Sequence, residues 1–385
     1  MKERIYLDYA ATTPVDPRVV ESMLPFFNGT FGNPSSVHWF GQQAEAALER
    51  ARETVAGALG AQPEEIVFTS CGTESDNLAI RGMAFTQREK TGAHRIITTP
   101  LEHHAVLHTV EQLVELNGFS MELLPVDQYG RVDPEDLRHA LRGDVALVSI
   151  MFANNEIGTV NPLAEIGELC HQRGVPLHSD AVQAAAHLPM NVVRDQIDLL
   201  AIGAHKFYGP KGVGALAVRK GVKLHPSQTG GGQENGRRAG TQNIPYIVGL
   251  AEALKLTVAD MEIRHERYSI KRKRLIAGVL ENVPGSRLTG HPTDRLPNHA
   301  SFAFEGLDGN HLLTLLDAAG FACSSGSACK VGDPKPSAVL EALGLSQAWT
   351  LGSLRVTLGE STTDEQVESF INVLPGLVRK VRGTA

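Results

Sequence analysis

The stretch that organises this chain is Ala201-Ile202-Gly203-Ala204-His205-Lys206-Phe207-Tyr208-Gly209-Pro210-Lys211-Gly212. The apolar run before it, from Asp198 to Ile202, is typical of a buried strand, and a Gly- and Pro-rich turn follows Lys206. Burial disfavours the ammonium form of a lysine and leaves a neutral amine that can form a Schiff base. Alone, a lysine at a strand end is more typical of the surface, so the rest of the chain decides between the two.

Length and composition predict a two-domain cytoplasmic protein. The chain has 385 residues, of which 42% are hydrophobic, and a formal net charge of -7 that gives no basic field for nucleic acid. It shows no secretory leader and no apolar run long enough to span a bilayer. Four cysteines are too few for a disulfide framework, and their spacing does not predict a metal site: Cys71, Cys170, Cys323 and Cys329.

Strand and helix patterns alternate from about residue 65 to residue 218. This alternation predicts an α/β fold with a mainly parallel sheet, helices on both faces and ligands at the carboxyl ends of the strands. A long charged helix over residues 251–280, with a solvated face, is then followed by a smaller α+β unit. We therefore expect a large domain over residues 15–255 and a small domain built from residues 1–14 and 256–385.

Four polar clusters follow predicted strands. The first contains Gly72 and Thr73 at the start of a helix, where outward N–H groups favour an anion, although an ordinary helix cap has the same pattern. His103 follows a second strand and is a flat group that titrates near neutrality, or simply a polar loop residue. Asn155 follows a third strand, where an amide often does no more than cap a turn. Asp180 ends a fourth, apolar strand, and a buried carboxylate there needs a cationic partner.

Each cluster is a weak signal alone, but together with Lys206 they meet the requirements of one ligand. An anion cradle, an amine, a buried acid and a planar stacking partner are what pyridoxal 5'-phosphate requires, because its protonated pyridine needs an acid to serve as an electron sink. The sequence therefore predicts a pyridoxal phosphate enzyme.

A loop of small residues, Ala322-Cys323-Ser324-Ser325-Gly326-Ser327-Ala328-Cys329-Lys330, carries a cysteine beside a lysine. A nearby cation lowers the pKa of a thiol and raises its thiolate fraction, so Cys329 is a candidate nucleophile. The alternative is a loop with an incidental thiol. Cys323 and Cys170 follow apolar neighbours and are expected to be packed.

With these motifs in place, the sequence resembles the cysteine desulfurases of the NifS/IscS type, in the class V aminotransferase group of fold-type I pyridoxal phosphate enzymes. The matching stretches run in family order over nearly the whole chain. They are residues 6–14, 31–36, 72–77, 102–103, 154–158, 180–183, 205–212, 238–241, 324–329 and 354–355.

The resemblance implies the roles of the residues around the cofactor ring. Lys206 would hold pyridoxal phosphate as a Schiff base, and Asp180 would pair with the pyridine nitrogen. His103 would stack on the ring and assist proton transfer, while Gln183 and Asn155 would contact the side of the phenolic oxygen.

The resemblance also assigns the phosphate contacts. Thr73, the amide of Gly72 and His205 would hold the phosphate within one chain. Thr241 would reach the phosphate of the neighbouring subunit, which requires a homodimer.

For the substrate, the resemblance implies that Arg355 and Asn33 bind the carboxylate of L-cysteine, Arg355 in bidentate fashion. Lys206 would take the Cα proton, and Cys329 would attack the sulfur to give a persulfide and L-alanine. The sulfur would pass to an acceptor protein of iron–sulfur cluster assembly or of a thiolation pathway, with a transient iron–sulfur contact at Cys329 and no resident metal.

Three departures from the family pattern stand out. Gly203 occupies a position where members usually carry a phosphate-binding serine, and Lys330 follows the catalytic cysteine in place of a small hydroxyl residue. The chain also ends at Ala385 without the longer tail by which housekeeping members dock the iron–sulfur scaffold. The alternatives are a selenocysteine lyase or another class V lyase or aminotransferase, and a binding protein on a degenerate fold.

Overall fold

The structure is a computed structural model that describes residues 4–325 and 336–383 of the chain. The strands are β1 (Ile5–Tyr6), β2 (Ile66–Thr69), β3 (Arg95–Thr98), β4 (Ser120–Leu123), β5 (Val145–Ser149), β6 (Leu177–Asp180), β7 (Leu199–Gly203), β8 (Gly214–Val218), β9 (Gly232–Gln233), β10 (Arg238–Ala239), β11 (Ser286–Leu288), β12 (His299–Phe304), β13 (Phe321–Ala322) and β14 (Ser353–Thr357). The helices are α1 (Pro17–Met23), α2 (Pro25–Asn28), α3 (Trp39–Leu59), α4 (Gly72–Thr91), α5 (His104–Asn117), α6 (Pro134–Ala140), α7 (Leu163–Arg173), α8 (Ile244–Ala259), α9 (Met261–Asn282), α10 (Gly309–Ala319), α11 (Ala338–Ala342), α12 (Gln347–Thr350) and α13 (Asp364–Arg382).

The largest sheet has seven strands in the order β2-β8-β7-β6-β5-β3-β4. Strands β7, β6, β5, β3 and β4 pair in parallel, whereas β8 runs antiparallel to both β7 and β2. The expectation of a mainly parallel sheet is therefore met.

Helices cover both faces of this sheet, because its strands bury alternate residues on opposite sides. Phe68 of β2 belongs to the core cluster with α3 and α8, whereas Val67 belongs to the cluster with α4 and α5. The two-residue period of the strand is the physical reason that a single apolar run serves two cores.

A second core surrounds the three-stranded antiparallel sheet β11-β12-β14. It contains Leu7 from beside β1, Leu275 of α9, Phe302 of β12, Leu354 of β14 and Phe370 of α13. Strand β1 pairs with β13, so the chain start lies against this second core. The domain boundaries expected from the sequence, 15–255 against 1–14 with 256–385, stay a prediction.

The prediction of one long charged helix with a solvated face over residues 251–280 is wrong in two respects. Helices α8 and α9 meet at Asp260, whose backbone lies outside the helical region and ends one helix where the next begins. Arg264 and Arg272 of α9 are buried instead of solvated. They donate to backbone carbonyls, Arg264 to Thr257 at 2.5 Å and Arg272 to Leu296 at 2.8 Å.

None of the helices in residues 4–325 and 336–383 has the length and apolar character needed to cross a membrane.

Candidate active site

Most of the side chains predicted from the sequence meet in one cavity of about 260 Å³ at the carboxyl ends of the parallel strands. They arrive from different elements, since β6 ends in Asp180 and β7 leads into the single 3-10 turn that contains Lys206. The predicted residues that line the cavity are Gly72, Thr73, His103, Asn155, Asp180, Gln183, His205, Lys206 and Arg355.

The amine of Lys206 is held inside this cavity by backbone oxygens. Its Nζ donates to the carbonyls of Ala10 at 2.6 Å and Ala11 at 2.8 Å. Burial, and secondly the positive charge of Arg355, lower the pKa of Lys206 from 10.5 to about 8. A substantial neutral fraction is therefore present near physiological pH, as a nucleophilic amine requires.

The N-terminus of α4 is free to bind an anion. Its N-cap residue Cys71 is extended and makes no side-chain capping hydrogen bond, and the helix is 20 residues long, so the first-turn N–H groups and the macrodipole point at the cavity. A Cβ on Gly72 would lie 2.6 Å from Cγ2 of Val182, so the close approach of these two segments requires glycine. Burial lowers the pKa of His205 to about 4, which makes it a neutral hydrogen-bonding group in the lining of the cavity that also contains Thr73.

On the other side of the cavity lie an acid and an imidazole. Burial raises the pKa of Asp180, while a hydrogen bond from the amide of Val182 at 2.8 Å and the charges of His103 and Lys206 oppose that rise. Burial lowers the pKa of His103, whose Nδ1 accepts from the amide of Ala105 at 3.1 Å and so caps α5. A cation next to Asp180 would remove the cost of its burial.

These groups fit pyridoxal phosphate. The uncapped helix end and the glycine-lined approach suit its phosphate, the buried carboxyl of Asp180 suits a protonated ring nitrogen, and Lys206 suits its aldehyde. The side-chain amide of Gln183 donates to Ala10 at 2.9 Å, at the edge of the same cavity.

Arg355 lines the cavity and comes from β14, a strand of the three-stranded sheet around which the second core forms. Its Nη1 donates to the carbonyl of Asn155 and its Nη2 to Oδ1 of Asp8, both at 2.9 Å. Its Nε is buried and has no hydrogen-bond partner among the described residues. Because a guanidinium has five N–H donors, these two contacts leave donor capacity on Arg355, which lines the cavity.

Two predicted residues are not brought to this cavity, and a third falls outside the described part of the chain. Asn33 and Thr241 lie outside it, and their chain neighbours Ser35 and Gln242 line a second cavity of about 550 Å³. Cys329 lies in residues 326–335, outside the described part of the chain. Within the described part, no group of three His, Cys, Asp or Glu side chains could hold a metal ion.

The structure adds two acids that sequence reasoning missed. Asp76 lines the cavity, and burial together with the charge of Asp180 raises its pKa well above the usual range. Its position one turn beyond Thr73 on α4 is a helical-spacing signal that could have identified it. Asp8 had no such signal, because only the fold places it against Arg355.

Comparison with known proteins agrees with this geometry. The aminotransferase class-V family model matches residues 5–370. The chain is 50% identical to the cysteine desulfurase IscS of Methanosarcina thermophila, over 98% of this chain and 93% of that one. Among solved structures, it matches a NifS-like protein with a TM-score of 0.91 and 37% identity, over 98% of this chain and 100% of the other. It also matches SspA in complex with cysteine, with a TM-score of 0.79 and 36% identity over 92% and 98% of the two chains.

The chain therefore belongs to the class-V aminotransferase family, whose members are pyridoxal phosphate-dependent enzymes. Within that family it groups with the cysteine desulfurases of the IscS and NifS type. The family and the fold-type I architecture expected from the sequence are confirmed.

Proposed function

We propose that this chain is a cysteine desulfurase that takes sulfur from L-cysteine, releases L-alanine and carries the sulfur as a persulfide on Cys329. The observation that carries the proposal is one cavity in which the amine of Lys206, the carboxyl of Asp180, the N-terminus of α4 and the guanidinium of Arg355 converge. The names of the relatives and the cysteine complex of SspA support the same substrate.

When bound, pyridoxal phosphate supplies an electron sink that acidifies the Cα–H bond of an amino acid. Lys206 would hold it covalently, and Asp180 would keep its ring nitrogen protonated. His103 would lie against the ring, and Gln183 and Asn155 would contact its phenolic oxygen side. The first-turn amide of Gly72, with Thr73 and His205, would bind the phosphate.

The remaining chemistry belongs to the chain and its substrate. Arg355 would bind the carboxylate of L-cysteine and so orient its Cα toward Lys206, whose neutral amine removes the proton. The thiolate of Cys329 would then attack the substrate sulfur, so that the C–S bond breaks as the S–S bond forms. Reprotonation of the carbon skeleton gives L-alanine, and the persulfide sulfur leaves to an acceptor protein.

A homodimer would complete the site. Thr241 lies away from the cavity of its own chain, where it is free to reach the phosphate site of a partner, and Asn33 would add to the substrate carboxylate contacts. Exposed large apolar side chains between residues 20 and 40 support an interface there: Val20, Leu24, Phe27, Phe31, Val37, Trp39 and Phe40. The acceptor, in iron–sulfur cluster assembly or thiolation, and the cytoplasmic location stay predictions.

The test is alanine formation from L-cysteine by the pyridoxal phosphate-loaded protein with a reductant. Lys206→Ala should abolish alanine formation, and Cys329→Ala should form no protein persulfide. Lys211→Ala and Cys170→Ala are matched controls, because Lys211 is exposed and Cys170 is packed in the core. Unchanged sulfide release by Cys329→Ala would contradict the persulfide route and would favour a lyase that eliminates sulfide directly, whereas an aminotransferase would leave the sulfur on its keto-acid product.

A further inference from the structure

The guanidinium assigned to the substrate carboxylate already contacts a carboxylate of the protein. Nη2 of Arg355 lies 2.9 Å from Oδ1 of Asp8, and the two side chains are only 8% and 18% exposed. Pairing of this kind offsets the cost of burying the arginine. An arriving substrate carboxylate would therefore be the second anion on one guanidinium.

Asp8 cannot move aside easily, because the backbone around it is fastened to the strand that carries Arg355. Asp8 forms a parallel bridge with Thr357 of β14, and the amide of Thr357 donates to the carbonyl of Leu7 at 2.8 Å. The hydroxyl of Tyr6 donates to the carbonyl of Asp8 at 3.0 Å, and the amide of Ala10 donates to Oγ1 of Thr357 at 2.9 Å. These contacts hold the backbone of Asp8 against β14, and the ion pair with Arg355 holds its carboxylate next to a residue that lines the cavity.

The other charged groups around Arg355 do not cancel Asp8. Glu156 is a second partly buried acid whose charge interacts with Arg355, and burial raises its pKa to about 7. His299 is buried beside Arg355, and burial keeps its pKa well below the usual range, so that it is neutral. Among the described residues, Lys206 is a cation that interacts with Arg355, and the charge of Asp8 acts on it as well.

We propose that Asp8 is the specificity-determining residue of this site, restricting it to amino acids that carry one carboxylate. The inference rests on the proposed function, because it takes Arg355 as the carboxylate-binding group. Asp8 leaves donor capacity on Arg355 for one further carboxylate and repels every negative charge on the ligand. The repulsion increases with the number of carboxylates, so a dicarboxylic amino acid is excluded most strongly.

The test is binding of three amines to the pyridoxal phosphate-loaded enzyme, followed by the change in cofactor absorption. Cysteamine has no carboxylate, L-alanine has one and L-aspartate has two. Asp8→Asn keeps the acceptor oxygen and removes the charge. It should leave the Kd of cysteamine unchanged, lower that of L-alanine about five- to tenfold and lower that of L-aspartate further.

Equal changes for all three amines would overturn the proposal, because they would show that Asp8 acts through Lys206 alone. Weaker binding of L-alanine by Asp8→Asn would also overturn the proposal, because it would show that Asp8 only orients Arg355. Asp294→Asn is the matched control, since Asp294 pairs with Arg131 at 2.9 Å outside the cavity. Asp8→Ser supplies the same comparison if Asp8→Asn does not fold, and absence of alanine formation by the unaltered enzyme would instead refute the proposed function.

Discussion

The amine of Lys206 donates to two backbone carbonyls and shares its cavity with Arg355. Its burial and the charge of Arg355 both lower its pKa. Desolvation disfavours the ammonium, and the guanidinium repels it, so its pKa falls from 10.5 to about 8. The unfolded chain keeps this proton up to a pH of about 10.5, whereas the folded chain releases it near pH 8. The contribution of Lys206 to the free energy of unfolding therefore increases as the pH rises from 8 to 10.5. The neutral amine accumulates above pH 8.

The first prediction concerns this titration. The rate at which the apoenzyme captures pyridoxal phosphate, trapped with borohydride on Lys206, should rise with pH through a midpoint near 8. Arg355→Met should move the midpoint to higher pH, because it removes the charge that lowers the pKa. Peptide mapping checks the site of labelling, with exposed Lys211 as the internal reference. A midpoint that does not move in Arg355→Met would show that the two residues do not interact.

The second prediction concerns Gly203. Its backbone is extended, and a Cβ there would lie 3.5 Å from the amide nitrogen of Gly72 and 3.5 Å from Cγ1 of Val182, which is ordinary contact distance. Gly203→Ser should therefore fit and place a hydroxyl at the anion site, so that pyridoxal phosphate is lost several-fold more slowly on dialysis. Gly203→Ala isolates the effect of the hydroxyl. Equal loss rates for the two variants would mean that the hydroxyl does not reach the phosphate.

At the scale of elements, the site depends on how helices begin. Most of the longer helices have a side chain on their first amides, such as Asp308 on α10 and Thr363 on α13. Helix α4 has no such cap, and it begins against the loop after β6 through Gly72. An uncapped helix beginning at the carboxyl edge of a parallel sheet is what suits this edge to the phosphate of the proposed cofactor.

The third prediction follows from that packing. Gly72→Ala would place a methyl group 2.6 Å from Cγ2 of Val182, so the helix start must shift. We expect the Kd for pyridoxal phosphate to rise about tenfold or more, with a loss of unfolding free energy of about 1–3 kcal/mol. Gly57→Ala on α3 is the matched control, because nothing lies within 4 Å of its added Cβ, and it should raise stability by about 0.5–1 kcal/mol. Calorimetry and cofactor titration measure both effects, and unchanged affinity in Gly72→Ala would contradict the role of this glycine.

The strand-end residues could be predicted from the sequence because their signal is local. Lys206 and Asp180 each follow an apolar run, and parallel strands bring such ends to one edge whatever the rest of the chain does. Asp8 and the carbonyl of Ala10 could not be predicted, since their roles depend on contacts with Thr357 and Lys206 far along the chain. Backbone carbonyls also carry no residue-specific signal. The buried arginines of α9 were missed because charge pattern alone does not show which face is covered.

At the scale of the whole molecule, Tyr208 joins the loop that follows Lys206 to the segment that follows β14, the strand of Arg355. Tyr208 has a φ of 64°, a conformation that bulky side chains adopt only when their surroundings enforce it. Its hydroxyl accepts from the amide of Glu360 at 2.9 Å and lies 3.3 Å from the hydroxyl of Tyr268. The carboxylate of Glu360 in turn accepts from Tyr268 at 2.9 Å and pairs with Arg267. These contacts fix the loop two residues after Lys206 against the chain five residues after Arg355.

The fourth prediction tests this link. Tyr208→Phe keeps the ring but removes the hydroxyl that accepts from the exposed amide of Glu360 and contacts the hydroxyl of buried Tyr268, so the free energy of unfolding should fall by about 0.5–1.5 kcal/mol. Because the link joins the amine to the arginine that we propose binds the substrate carboxylate, KM for L-cysteine should rise several-fold more than kcat falls. Tyr129→Phe removes a hydroxyl from a loop outside the cavity and should change neither. A loss of stability with unaltered KM would show that the contact holds the fold together without positioning the two groups, and the left-handed Tyr208 would then be a feature of stability alone.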